Sequence, residues 1–477
     1  MTKLTSSSAW EALVVHAQHS EHLSIKHLVE TEAGRSDVMT LRIGDTVFDF
    51  TKNLASRDTL KLLLDFAAQQ DVAGWFARMF AGDAINTTEN RAVLHTALRS
   101  PDAPAEVQAC LRQMKALSDG VRADKTITDV IHIGIGGSDF GPRMVCQAVA
   151  DLYKGPCIHF VANVDPDDLD MTLARLNPAN TLVTVASKTF TTDETMTNLA
   201  AVRAWLGGRD ERIVAMTANT KAATEAGIAQ ERVLPMWDWV GGRYSVWSSI
   251  GLPIAIACGF EGFEAFLKGA HGVDQHVAVT PYAQNAPVMM ALLAVWYRNF
   301  LKYPAVVIAP YSQRLERFSD FMQQLGMESN GKRVDRAGVL CDYETSPIIF
   351  GQAGTNAQHA FFQMVHQGTT PMPVDFIGFK NSHSPRAQAH HKLLSNMYAQ
   401  ADALMLGCDD ENPHKVCLGN RPSTIMVWPK LDLYNLGALL AVYEHKTAAE
   451  GFLLNINSFD QFGVELGKKL AKQRLAS

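Results

Sequence analysis

The sequence predicts an α/β protein: two parallel sheets in tandem, each covered by helices, behind a mainly helical N-terminal segment. Three observations carry this. From about Asp129 onward, apolar runs of strand length alternate with helix-sized stretches, the pattern of strands buried on both faces. Two of those runs lead directly into clusters rich in glycine or hydroxyl side chains. The chain has 477 residues, 47% hydrophobic and 19% charged, enough for a large core. That length suits three units of ~150 residues, or two larger ones with a terminal segment.

Residues 1–105 read mainly as helix. Leu60–Ala68 and Trp75–Phe80 carry helical spacing, and Arg91–Arg99 alternates apolar and charged faces at the same period. Leu41–Phe50 suggests a short strand pair, and Ser100–Pro104 a break. His16, His19 and His22 read as solvated positions. Residues 106–280 form the first expected α/β domain, with strands at Asp129–Ile135, Cys157–Ala162, Thr181–Ala186 and Ile213–Thr217. The largely apolar stretch Ile250–Phe300 reads as helical, with the division between domains near Gly272–Pro287. In residues 281–477 the rhythm recurs at Ala305–Ala309, Ile348–Phe350, Val374–Gly378 and Ser423–Trp428.

Lys+Arg 43 against Asp+Glu 49 gives a net charge of −6 without long single-sign runs, which argues against a nucleic-acid or polybasic membrane partner. The apolar run Ile250–Phe260 is interrupted by Pro253 and is too short to span a bilayer. The N-terminus lacks the apolar segment of a secretory signal. Seven cysteines with no C-x-x-C pair read as reduced core thiols of a cytoplasmic protein. His390-His391 is a weak metal hint without further ligands, so no metal is assigned.

The first cluster, Gly134 to Pro142, opens a helix after a strand. Its glycines let backbone N–H groups approach an anion. Asp139 stands where a dinucleotide fingerprint needs its third glycine, although Asp165 after the next strand keeps a nicotinamide reading open. No P-loop motif occurs. The second cluster, Ser187 to Thr192, offers four hydroxyls and one ammonium where a helix begins. That combination suits a monophosphate, and Thr191 with Glu194 also resembles a capping box. Arg243 follows two glycines, Glu328 lies in an expected helix-terminating loop, and His359 stands near a helix start.

These motifs together resemble the glucose-6-phosphate isomerase family over nearly the whole chain. Asp238–Gly251 is similar to one family signature and Gly451–Lys468 to another. Met327–Lys332, Gly354–Phe361, Tyr443–Lys446 and Arg91–Arg99 agree in order. The resemblance implies two SIS-type doubly wound parallel-sheet domains in tandem and a cytoplasmic homodimer with shared active sites. It implies aldose–ketose isomerisation of glucose 6-phosphate and fructose 6-phosphate, by ring opening and a cis-enediol, without a cofactor or metal. Glu328 would be the base and Arg243 the fixed positive charge. His359, supplied by the partner subunit and assisted by Lys468, would open the ring. The phosphate would rest on Ser187, Lys188, Thr189 and Thr192, with Gly137, Ser138, Gln324 and Gln461 contacting substrate. Asp375–His391 departs from the commonest family version. The chain ends at Ser477, soon after Lys468, where many relatives continue into a tail around the partner, so the dimer's edge contacts are an expected point of difference. The alternatives are a non-catalytic sugar-phosphate-binding or signalling protein on this fold, and a nicotinamide dehydrogenase.

Overall fold

The structure, a computed structural model, describes residues 3–20 and 22–476. It contains two sheets. The first is β3(Asp129–Ile133), β4(Cys157–Val161), β5(Thr181–Ala186), β6(Ile213–Thr217) and β7(Val233–Pro235), in the order β4-β3-β5-β6-β7 and parallel throughout. Four of these are the expected strands within two residues. β7 escaped sequence reading because three residues ending in proline carry no periodicity.

The second sheet is built from β8(Ala305–Pro310), β9(Ile348–Gly351), β10(Val374–Asn381) and β11(Ser423–Lys430), parallel in the order β11-β10-β8-β9. Its order repeats that of the first sheet: the second strand lies outside the first, and the third lies on the first strand's other side. The expected N-terminal strand pair exists as β1(Thr40–Ile43) and β2(Thr46–Asp49), and β2 extends this sheet antiparallel to β11 through Ile425↔Asp49. The N-terminal segment is thus stitched to the far end of the sequence.

Helices at Arg57–Gln69 and Val72–Ala81 stand where their periodicity placed them. Arg91–Arg99 does not form a helix; only His95–Arg99 makes a 3-10 turn. Long-range partners take the groups a helix would use. The Leu94 amide donates to the Trp239 carbonyl, and the buried Arg99 reaches Asp274 at 2.6 Å and Glu444 at 2.6 Å. Glu444 also accepts from Trp247 Nε1 at 2.7 Å. A buried guanidinium is tolerable only when so matched, and this one bolts the N-terminal segment to the helices Phe260–Val279 and Leu433–Leu453. The latter is buried over nearly its whole length, packed mainly against the helices Phe260–Val279 and Ala286–Val295, as a helix apolar on all faces must be.

Two smaller expectations hold only in part. His19 and His22 are exposed, but His16 is half-buried: its Nε2 bonds Thr59 Oγ1 at 2.7 Å and the ring packs 5.7 Å from Trp296. Only Cys110, Cys146 and Cys258 are buried core thiols. Cys157 begins the edge strand β4 and is exposed, as is Cys408, which faces Cys417 across an isolated β-bridge.

Candidate active site

In open parallel sheets, ligands bind beyond the strand C-termini where the strand order reverses. In the first sheet that point lies between β3 and β5. The glycine turn Gly134–Ser138 leaves β3 and the hydroxyl cluster Ser187–Thr192 leaves β5, so the topology sets the two clusters side by side.

The glycine turn is anchored from below. The buried His132 on β3 bonds the Ser138 carbonyl through Nε2 at 2.8 Å and Thr184 Oγ1 through Nδ1 at 2.9 Å. Burial pushes its pKa down to about 4. In the unfolded chain histidine titrates near ~6.5, so between those values the unfolded state binds the extra proton. Stability contributed by neutral His132 is therefore present above about pH 6.5 and lost as pH falls towards 4, about 3 kcal/mol in all. Urea unfolding at several pH values should show this loss, and His132→Gln should remove that part of the pH dependence. Sequence reading passed over His132 as one residue of a strand.

Gly137 presses on the next functional turn: a Cβ there would stand 2.0 Å from the Gly242 carbonyl oxygen and 2.7 Å from the Arg243 nitrogen. Only glycine permits that approach. The turn Gly242–Trp247 is a 3-10 segment carrying Arg243 inward, with its side chain fully buried. Every nitrogen of the guanidinium is used. Nε donates to Ser329 Oγ at 2.6 Å, Nη1 to Glu328 Oε1 at 3.1 Å and Gln461 Oε1 at 3.0 Å, and Nη2 to the carbonyls of Ser458 at 2.5 Å and Asp460 at 3.1 Å.

Glu328 is not in a loop. The helix Phe318–Met322 continues into a π-helical turn, Gln323–Glu328. Such turns are rare and gather at functional sites. Across it Gln324 Nε2 donates to Glu328 Oε2 at 3.0 Å, so both carboxylate oxygens are held while the side chain keeps 26% exposure towards the crevice. The rest of the Met327–Lys332 motif is structural support. Ser329 also bonds the Tyr244 hydroxyl, Asn330 bonds Ser458 and Glu450, and Lys332 pairs with Asp460 at 2.6 Å. Ser329 and Lys332 were legible only as parts of that motif.

In the hydroxyl cluster, Ser187 Oγ and Thr192 Oγ1 lie 3.0 Å apart, and Thr191 Oγ1 donates to Thr189 Oγ1 at 2.8 Å. Thr192, not Thr191, precedes the helix Asp193–Leu206 and makes no side-chain cap bond, so the expected capping box does not form. Asp165 instead caps the helix Pro166–Leu173. Phe190 holds a left-handed φ of 56° with its ring buried, which bends the cluster tightly. The Lys188 ammonium is directed to the carbonyls of Asp238 at 3.1 Å and Val240 at 3.2 Å, tying this cluster to the turn before Arg243. Burial lowers its pKa.

One chain thus gathers Gly137, Arg243, Gln324, Glu328 and Gln461. It does not bring in His359 or Lys468. His359 is exposed on the 3-10 turn Asn356–His359, and its side chain makes no hydrogen bond among the described residues. Lys468 lies on the exposed C-terminal helix Glu465–Ala476, paired with its neighbour Glu465 at 3.0 Å. Phe462, Leu466 and Leu475 are 59%, 65% and 83% exposed there. His390-His391 joins no group of metal ligands among the described residues.

Two doubly wound parallel sheets with a crevice at the strand C-termini define an open α/β protein that binds its ligand at the switch point. The solved glucose-6-phosphate isomerase of Chlamydia trachomatis matches with a TM-score of 0.94 and 34% identity, covering 100% of this chain and 96% of that one. The family model described as Phosphoglucose isomerase matches residues 49–477. The glucose-6-phosphate isomerase of Albidiferax ferrireducens is 46% identical over 99% of this chain and 94% of its own length. That of Chlorobium luteolum is 43% identical over 98% and 93%. The chain belongs to the phosphoglucose isomerase family, and it is an aldose–ketose isomerase acting on sugar phosphates. No helix among the described residues is long and apolar enough to cross a membrane.

Proposed function

We propose that Glu328 moves the proton between C1 and C2 of an opened hexose 6-phosphate, while Arg243 stabilises the enediolate that forms. The observation that carries this is the single contact between them, 3.1 Å, with Gln324 and Gln461 on either side. A carboxylate fixed at both oxygens is positioned for one proton transfer in each direction, a role commonly contributing about 10²–10⁴-fold. A buried, fully hydrogen-bonded guanidinium cannot reorient, which is what stabilising a developing oxyanion requires. Ser187, Thr189 and Thr192 would hold the phosphate, with Lys188 setting the loop and adding charge. Ser138 and Gly137 would meet the sugar. Phosphate held at one end fixes C1 and C2 against the base at the other. The substrate pair is glucose 6-phosphate and fructose 6-phosphate, and the compartment is the cytoplasm.

Ring opening falls to His359 with Lys468. Neither makes a hydrogen bond or ion pair with Glu328 within one chain, and the C-terminal helix leaves large apolar side chains in solvent. These two facts support a homodimer in which a site takes Glu328 and Arg243 from one chain and His359 from the other. Co-refolding Glu328→Gln with His359→Ala tests it. In a mixed two-fold dimer one site collects both defects and the other neither. Random pairing makes about half the dimers mixed, so about a quarter of all sites recover activity, measured on fructose 6-phosphate with a coupling dehydrogenase. A dimer stable in sedimentation with no recovery overturns the shared site.

A further inference from the structure

At the opposite end of the first sheet, away from the crevice, three side chains of different chemistry converge. β3 and β4 pair in parallel with Asp129 opposite Cys157, and Cys157 and His159 are two apart on the edge strand β4. Alternate residues of a strand share a face, so all three project from one side of the sheet. Their ligand atoms lie within 4.8 Å of one another. His159 Nε2 is 2.7 Å from Asp129 Oδ1, and Thr128 Oγ1 donates to the other oxygen, Oδ2, at 2.7 Å. The thiol is exposed, while the imidazole and carboxylate are 27% and 23% exposed.

We propose that Asp129, Cys157 and His159 form a binding site for a borderline-soft divalent cation, zinc above all. Thiolate, imidazole and carboxylate are the donors zinc takes, at about 2.0–2.3 Å. Bonds of that length in tetrahedral geometry set donor atoms roughly 3.3–3.8 Å apart, so the present cluster closes on an ion by side-chain rotation alone. The ion replaces the His159–Asp129 hydrogen bond, the Cys157 thiol gives its proton to solvent, and water takes the fourth position. Thr128 holds the carboxylate from behind, as outer partners of metal ligands do.

β3 separates this cluster from the glycine turn by its whole length, so loss of the cation should leave basal isomerase activity unchanged. The test uses the full chain, stripped with chelator and then titrated with Co²⁺. Wild type is expected to bind one cobalt per chain with a thiolate-to-metal charge-transfer band, and Zn²⁺ should displace it. Cys157→Ser should abolish the band, and His159→Ala and Asp129→Asn should each weaken binding at least tenfold. Isomerase activity at the wild-type level shows that each variant is folded. Cys408→Ser with Cys417→Ser should change nothing. A wild type without the band, a band that survives Cys157→Ser, or one that vanishes with the Cys408 and Cys417 pair overturns the proposal.

Discussion

Glu328→Gln is expected to lower turnover by about 10³-fold or more while substrate affinity changes by only a few-fold. The amide is nearly isosteric, and its oxygen can still accept from Arg243 Nη1, which lies 3.1 Å from the carboxylate in the native chain. What the amide lacks is a lone pair basic enough to take a proton from carbon, and the loss of a general base costs about 10²–10⁴-fold. Two measurements separate chemistry from binding. Exchange of solvent deuterium into C2 of glucose 6-phosphate should collapse with kcat, and calorimetry on an unreactive sugar 6-phosphate should give near-native affinity. Exchange above about a tenth of the native rate would place the base elsewhere.

Arg243→Lys should be nearly as damaging, for a different reason. Lysine keeps the charge but not the planar fork. The guanidinium serves Ser329, Glu328, Gln461 and two main-chain carbonyls at once, and an ammonium on a shorter, non-planar head cannot reach them all. Removing a fixed donor to a developing oxyanion costs about 10²–10³ in kcat. The carbonyls of Ser458 and Asp460 left unmatched add a stability loss of about 1–3 kcal/mol. Thermal unfolding and kcat should therefore fall together here, whereas Glu328→Gln should lower kcat alone. A lysine variant with native melting and more than about a tenth of native kcat would reduce Arg243 to a replaceable charge.

The strands and most helices were legible because their signals are local. A run such as Thr181–Ala186 is buried on both faces and says so in six consecutive residues. Arg91–Arg99 misled because its helical period competes with partners more than 140 residues away, which no window over the segment contains. The π turn at Gln323–Glu328 likewise has no periodic signature. Within it Gly326 packs against the distant Ile349, where a Cβ would come within 2.3 Å of Cδ1.

By itself, the sequence determined the fold class, the positions of the two clusters after β3 and β5, and the motifs that carry Arg243, Glu328 and His359. Glycine turns, hydroxyl clusters and buried strands are properties of neighbouring residues, so their chemistry is written in order along the chain. The tertiary structure decided what those motifs touch. It set Gly137 on the Arg243 turn, gave both oxygens of Glu328 a donor, directed Lys188 to the Asp238 loop, and seated His132 beneath Ser138. It also left the C-terminal helix and His359 facing outward. Each of these depends on contacts between segments far apart in sequence, fixed by how two sheets and a buried helix pack, and packing is a property of the whole chain.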